Sequence, residues 1–516
     1  MIRPRYRDWT AMGRLYARMR IRKLNGMRPK EAQNTTLKLL LKQATDTKFG
    51  KAHRFGDIDC VEDFQRQVPI RGYDAFWREW WEPNYPSLVD VSWPGEIPFF
   101  TITSGTTTGR SKFIPYTAAM RRAAVRGFLD LLCYHLVCRP GSRLLGGATL
   151  ALTGPVALEA STNGSTAAAV SAITISALPS WLQGRVLPSG DLANIKDWQE
   201  KIRRLAPLSI ADDIRFLGGS PNWLLIFLAE VAKHAPGQTT RLADWYPNLE
   251  LILHGGVDFS PYRDQFRALL EGSHAETREM YSASEGVFAY ADSGDGDGLR
   301  LHLDGQIFYE FVPLDQLSTP APKRCWIGTV ETGKNYALVI SSAAGLWSYV
   351  VGDVVRFVDL DPPRLLVLGR VHQGLSSFGE HLIETEVAEA VMAAARKQGV
   401  TVLDYSVGTL HGETGGHHVY LVEHSGAGNE LSTEAYATDI DARLSDLNDD
   451  YRELRRNEAI SAPEIHFAPA GGFARWMRLR RGLGGQHKIP RIVTDPDLFR
   501  DIRSIVLIRK GPPDGL

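Results

Sequence analysis

Beginning at Phe99, short apolar runs punctuated by glycine alternate with segments of helical periodicity, an order that few architectures accept. The runs Phe99–Thr103, Leu249–His254, Gln306–Val312 and Tyr336–Ser341 have the length and content of buried strands. Between them, Trp223–His234 carries Leu224, Leu225, Phe227, Leu228 and Val231 at helical spacing. Strands alternating with helices predict an α/β domain of sheets packed with helices. Residues 1–100 read instead as mostly helical, with turn-rich pieces such as Trp93-Pro94-Gly95.

The 516 residues exceed what one hydrophobic core supports, which stops growing near ~250–300 residues. A second texture starts after Gly369-Arg370. Ile383, Val387 and Val391 mark one helical face, and Ile440, Leu444, Leu447, Tyr451 and Leu454 mark another. Strand-like runs occur at Val402–Val407, His418–Val422 and Glu464–Ala468. The expected division is a large domain over 1–369 and a small α+β domain over 370–516.

Charge narrows the partners. Lys plus Arg (59) equals Asp plus Glu (59), which argues against a nucleic-acid binder, whose affinity rests on neutralising phosphates. No stretch is long and apolar enough to demand a membrane, and the basic amino terminus lacks the apolar core of a secretory signal. It reads as an amphipathic first helix. The four cysteines form no Cys-x-x-Cys pair, so they read as thiols in a reducing compartment, and the cytoplasm is the expected location.

The strongest local signal is Thr103-Ser104-Gly105-Thr106-Thr107-Thr108-Gly109-Arg110-Ser111-Lys112, directly after an apolar strand candidate. Small residues let backbone N–H groups curl around an anion, hydroxyls add donors, and cations oppose negative charge. A nucleotide polyphosphate fits that chemistry, although the spacing is not that of a Walker A loop. Two carboxylates follow at strand-end-like positions: Glu285 in Tyr281–Gly286 and Asp353 in Tyr349–Asp353. A carboxylate can accept both ribose hydroxyls or help hold Mg²⁺; a Gly-Asp pair also makes an ordinary turn. Gly255-Gly256 could let a flat base lie against bare backbone. Lys488 stands on a glycine-flanked loop, Gly484 to Arg491. His254, His372 and His487 have no metal-ligand or triad spacing, and His417-His418 points only weakly to zinc. No G-x-S-x-G elbow is present, which disfavours an α/β-hydrolase.

Taken in order, these motifs resemble the Gretchen Hagen auxin-responsive family of acyl acid–amido synthetases, particularly its bacterial members, within the adenylate-forming enzymes. The resemblance also takes in Ser92–Gly95, Gly219–Trp223, Tyr246–Leu249, Phe308–Pro313, Asn448–Tyr451 and Gln486–Arg491. It implies a large amino-terminal domain and a small mobile carboxy-terminal one. It implies ATP and Mg²⁺, activation of a carboxylic acid as an acyl-adenylate, and transfer to an amine, usually of an amino acid. Carried over by motif, Ser104, Thr106 and Thr107 would hold phosphate, with Gly105 and Gly109 shaping the loop. Gly255 and Gly256 would border adenine, with Tyr281 stacking on it or beside it. Ser284 would lie near the α-phosphate, Glu285 would position Mg²⁺, Asp353 would take the ribose and Tyr349 would pack beside the nucleotide. Arg370 would mark the hinge, and Lys488 would reach in from the mobile domain. Two departures stand out. His372-Gln373-Gly374 follows the hinge, and Ser348 follows Leu346-Trp347 where arginine is common. Transfer to a thiol such as coenzyme A, or nucleotide binding without catalysis, are the alternative readings. The acid, the amine, the base that deprotonates it and the oligomeric state are not legible in the sequence.

Overall fold

The computed structural model describes residues 6–97, 99–102, 112–153, 159–160, 166–168, 175, 178–195, 197–235, 241–294, 296–317, 319–371, 375, 377–378, 380, 382–411, 416–426, 431–480 and 489–508. The chain falls into two compact units. One is 1–257 with 267–367; the other is 258–266 with 368–516. The short Asp258–Phe266 segment groups with the carboxy-terminal unit, which a single cut in the sequence does not anticipate.

The first unit opens with the helices Thr10–Asn25 and Pro29–Ala44 and several shorter ones. Two sheets follow. Strands β1 (Phe99–Ile102), β2 (Phe113–Tyr116), β4 (Glu159–Ala160) and β5 (Thr166–Ala168) form a four-stranded sheet in the order β2-β1-β5-β4. The larger sheet uses β3 (Ala148–Ala151), β6 (Val186–Leu187), β7 (Ile214–Gly218), β8 (Leu251–His254), β9 (Glu276–Ala283) and β10 (Gly286–Tyr290). It continues with β11 (Leu299–Leu301), β12 (Ile307–Pro313), β13 (Cys325–Trp326), β14 (Asn335–Ser342), β15 (Leu346–Leu360) and β16 (Pro363–Arg370). The order is β13-β12-β14-β15-β16-β11-β10-β9-β8-β7-β3-β6, twelve strands in all.

One half of that sheet is parallel: β3 pairs with β6 and β7, β7 with β8, and β8 with β9. Parallel strands need crossovers, and the helices Trp198–Ile210 and Pro221–His234 supply them. Each starts where its sequence says it should. Asp197 accepts from the Glu200 N–H at 2.9 Å, and Pro221 takes the first helical position. The other half is antiparallel, with β12 and β14 buried nearly end to end and β15 buried at its start and around Val354. Its core gathers Trp81, Trp347, Phe308, Phe311 and Tyr349 with the amino-terminal helices.

The second unit is an α+β layer. Strands β17 (Thr401–His411), β18 (Gly416–Ser425), β19 (Glu464–Ala468) and β20 (Ile492–Val493) run in the order β19-β18-β17-β20. Helix Glu384–Gln398 ends on Gly399 at φ +69°. The face from Ile440 to Leu454 belongs to two helices, Thr433–Leu447 and Asp449–Arg456, not one. The break is Asn448, whose side chain accepts from the Tyr451 N–H at 2.8 Å and so begins the second helix. Among the described residues no helix is long and apolar enough to cross a membrane.

Candidate active site

Four of the sequence-picked residues meet in the first unit through two reciprocal hydrogen bonds. Strands β9 and β10 form a hairpin whose turn is Ser284-Glu285, with Ala283 paired to Gly286. Tyr281 leaves this hairpin and donates its hydroxyl to Asp353 Oδ2 at 2.6 Å. Tyr349 leaves β15 and donates to Glu285 Oε1 at 3.2 Å. Each element thus supplies a carboxylate and the phenol that holds the other's carboxylate. All four side chains are buried. A buried carboxylate that keeps its charge needs such donors.

Asp353 corrects one expectation. It stands inside β15, not at a strand end or in a turn. Ala337 pairs with Val354 and Val339 with Val350, so β15 advances four residues while β14 advances two. The surplus is a bulge over Val351–Asp353, which Gly352 accommodates at φ +93°. Pairing resumes on both sides, so the strand continues while one side chain is re-aimed.

Gly255 answers to a close approach. A Cβ there would stand 2.2 Å from the Met280 carbonyl oxygen of β9, so any side chain would force the two strand ends apart. Gly256 follows at φ +81°. The Tyr281 ring is engaged edge-on with Phe288 at 5.0 Å while its hydroxyl is on Asp353. Ser284 is tied from below: Thr101 Oγ1 of β1 donates to its carbonyl at 2.9 Å.

That last bond matters because β1 and β2 flank the hydroxyl-rich segment. Ile102 pairs with Phe113. Ser104, Gly105, Thr106, Thr107 and Gly109 lie outside the described residues, as does Lys488. The strands leading into and out of residues 103–111 are nonetheless fixed, one by Thr101 on the Glu285 hairpin, the other by Tyr73, whose hydroxyl accepts from the Phe113 N–H at 3.0 Å. The Lys112 ammonium lies 5.3 Å from the Tyr73 ring. Arg370 closes β16 and groups with the second unit.

Sequence reasoning missed a neighbouring pair. Arg324 donates to both oxygens of Glu310 at 2.9 Å and to Ser348 Oγ at 2.6 Å. A guanidinium therefore sits against the Ser348 hydroxyl. The signal was Glu310, a carboxylate in the otherwise apolar Phe308–Pro313 run. The zinc hint at His417-His418 does not hold: His417 pairs with Glu464 and His418 with Glu380, each at 2.9 Å. Among the described residues, one trio of metal-type ligands converges, Asp130, His302 and Asp304. Arg20 already occupies it, with both Asp130 oxygens at 2.7 and 2.8 Å and Asp304 at 2.9 Å.

Three family models match the chain in order and together cover more than half of it: the GH3 family N-terminal domain at residues 20–186, the central domain at 300–370 and the C-terminal domain at 385–497. The chain belongs to the GH3 family. It is similar to the indole-3-acetic acid-amido synthetase GH3.8 of Oryza sativa subsp. indica, 30% identical over 39% of this chain and 36% of that protein. The alignments span about a third to a half of the length of the curated relatives. Among solved structures, AtGH3.15 acyl acid amido synthetase in complex with 2,4-DB matches with a TM-score of 0.78 at 18% identity, over 95% of this chain and 96% of that one. A 2-hydroxyisobutyryl-CoA ligase in complex with 2-HIB-AMP matches with a TM-score of 0.61 at 14% identity, over 92% and 91%. The GH3 chain therefore has the fold of adenylate-forming enzymes.

Proposed function

We propose that this protein is an acyl acid–amido synthetase: it joins a carboxylic acid to AMP from ATP, releasing pyrophosphate, then passes the acyl group to an amine, usually of an amino acid, releasing AMP. The observation that carries this reading is the Tyr281–Asp353 and Tyr349–Glu285 exchange, which ties two buried acidic groups to the same hairpin and strand, the hairpin being bonded to the strand that leads into the hydroxyl-rich loop. Family membership supports the reading, as do the amido synthetase names of its relatives.

The residues present suit ATP. Asp353 would accept the ribose hydroxyls, Gly255 and Gly256 would admit adenine against bare backbone, and Tyr281 and Tyr349 would fix the acids from behind. Ser104, Thr106, Thr107 and the backbone at Gly105 and Gly109 would take phosphate, and Ser284 would stand near the α-phosphate. Glu285 suits Mg²⁺, which is commonly held by one or two carboxylates plus substrate phosphates rather than by a protein cage. The ion would offset repulsion between the acid and the α-phosphate.

Attack of a carboxylate on a phosphate brings two anions together, so a further cation is needed. Lys488 is assigned that role, since a compact ammonium can follow both partners. Arg370 would serve the hinge side of the ribose. Free thiols at Cys60, Cys133, Cys138 and Cys325 suit a reducing compartment.

The test is acid-dependent exchange of pyrophosphate into ATP. Exchange with at least one member of a broad acid panel is expected, slowed about 10²–10³-fold by Lys488→Ala. Binding of ATP without any exchange would leave a nucleotide-binding protein. AMP release with amines but not with coenzyme A separates amide from thioester formation.

A further inference from the structure

Lys201 is a buried charge that the reaction described above leaves unused. It stands in the first turn of the Trp198–Ile210 helix and is 1% exposed. Its ammonium donates to the carbonyls of Thr153 at 3.2 Å and Ala193 at 2.8 Å. Among the described residues no carboxylate forms an ion pair with it. Burial alone pushes its pKa down to about 8. The positive end of the helix macrodipole adds to the same unbalanced charge.

The surroundings are equally unusual. Thr153 Oγ1, Trp198 Nε1, Asn222 Oδ1 and Trp223 Nε1 are buried without hydrogen-bond partners. Orphaned buried polar atoms are rare and call for an explanation. These cluster: the Trp198 and Trp223 rings are 5.0 Å apart, and the ammonium is 5.8 Å from the Trp198 ring. Thr153 follows β3 and Asn222-Trp223 follow β7, and the two strand ends are joined by the Leu152 N–H on the Gly218 carbonyl at 2.7 Å. Carboxyl ends of parallel strands are where open α/β sheets hold ligands. An ammonium, a hydroxyl and two indole N–H groups outnumber the single amide acceptor. That set recognises an anion.

We propose that Lys201, Thr153, Trp198, Asn222 and Trp223 form a subsite for an anionic group at the far end of the acid substrate, so that this protein activates acids bearing a second carboxylate or a comparable anionic terminus. The proposal rests on the acid-activating reading. Its geometry favours the acid over the acceptor. From the end of β9, where Ser284 is assigned to the α-phosphate, β3 is three strands away across the sheet, at least about 14 Å. An attacking amine stands about 3 Å from the carbonyl carbon, and an amino acid's carboxylate is one carbon from that nitrogen, well short of the span.

The experiment measures binding of decanedioate and decanoate by calorimetry with ATP present, alongside pyrophosphate exchange with each. The dicarboxylate should bind about tenfold more tightly or better, the scale of a buried hydrogen bond to a charged group. Lys201→Met, which keeps length and adds no volume, should abolish that preference without weakening ATP binding. Trp223→Phe, which removes one donor and keeps a ring, should reduce it. Equal affinity for the two acids, or a preference that survives Lys201→Met, overturns the subsite. If exchange proceeds with both acids and no discrimination, the subsite falls while the activity stands. If ATP binds and no acid in the broad panel supports exchange, both fall together.

Discussion

Tyr281 and Tyr349 do structural work that their aromatic character conceals. Each hydroxyl holds a buried carboxylate, Asp353 proposed for the ribose and Glu285 for Mg²⁺. Tyr281→Phe and Tyr349→Phe should each lower stability by about 1–3 kcal/mol, since each leaves a buried acid short of a donor. Tyr281→Phe should also weaken nucleotide affinity through Asp353, whereas Tyr349→Phe should act on the Mg²⁺ dependence of exchange through Glu285. Denaturant melts and nucleotide titrations across a Mg²⁺ series check both. A loss of stability with no change in either titration would reduce the phenols to core packing. Residue types alone could nominate Glu285 and Asp353, because acids beside glycine in apolar surroundings are conspicuous. They could not reveal which tyrosine holds which acid, because that exchange depends on strand order.

At the scale of elements, the Ala118–Cys138 helix is tied to the parallel sheet through His135. Its ring contacts Glu276 at 2.7 Å and Glu250 at 3.5 Å and is wholly buried. Burial acts to lower the histidine pKa, but hydrogen bonds to Glu250 and Glu276 outweigh it, so the net direction is up. A raised folded pKa stabilises fully below the unfolded value of about 6.5 and is lost as pH rises through the folded value. Glu276 works in the opposite sense. Burial raises it, but His135 and Arg278 hold it down at about 2, so its contribution is lost only as pH falls toward that value. Denaturant unfolding should therefore show stability declining from mildly acidic to alkaline pH, and His135→Gln should flatten the decline. An unchanged slope would remove His135 from the account. Strands such as β8, β12 and β14 were legible because their apolar runs are continuous. The bulge in β15 was not, since Gly352-Asp353 reads locally as a turn and only pairing with β14 on both sides shows otherwise. Asn448 was similarly hidden: helical spacing passes straight through it, and the break depends on its side chain capping Tyr451.

For the whole molecule, the chain passes between its two units three times, because Asp258–Phe266 groups with the second. Gln265 of that segment donates to the Val402 carbonyl at 3.3 Å, and Tyr262 receives Arg491. The Arg491 guanidinium lies 4.4 Å from the Tyr405 ring, donates to the Tyr262 hydroxyl at 2.6 Å and reaches Asp404 at 3.3 Å. Burial pushes Asp404 up to about 6 even though Arg491 opposes the shift. A fragment of 368–516 alone should be markedly less stable than one carrying 258–266 on a linker, and thermal melts of the two would show it. Equal melting would mean that Tyr262 contributes nothing to the arginine's burial. Nothing in the composition of Asp258–Phe266 announces this allegiance, as it depends on a cation more than two hundred residues away in sequence.

The same arrangement bears on how members of this family can be recombined. A chimera joined once, after Val367, would import a foreign carboxy-terminal lobe and leave behind the aromatic lid of its own buried arginine. Exchange of carboxy-terminal lobes between relatives then becomes a two-segment transplant, and single-crossover libraries should be depleted of soluble clones wherever the donor and recipient disagree at position 262.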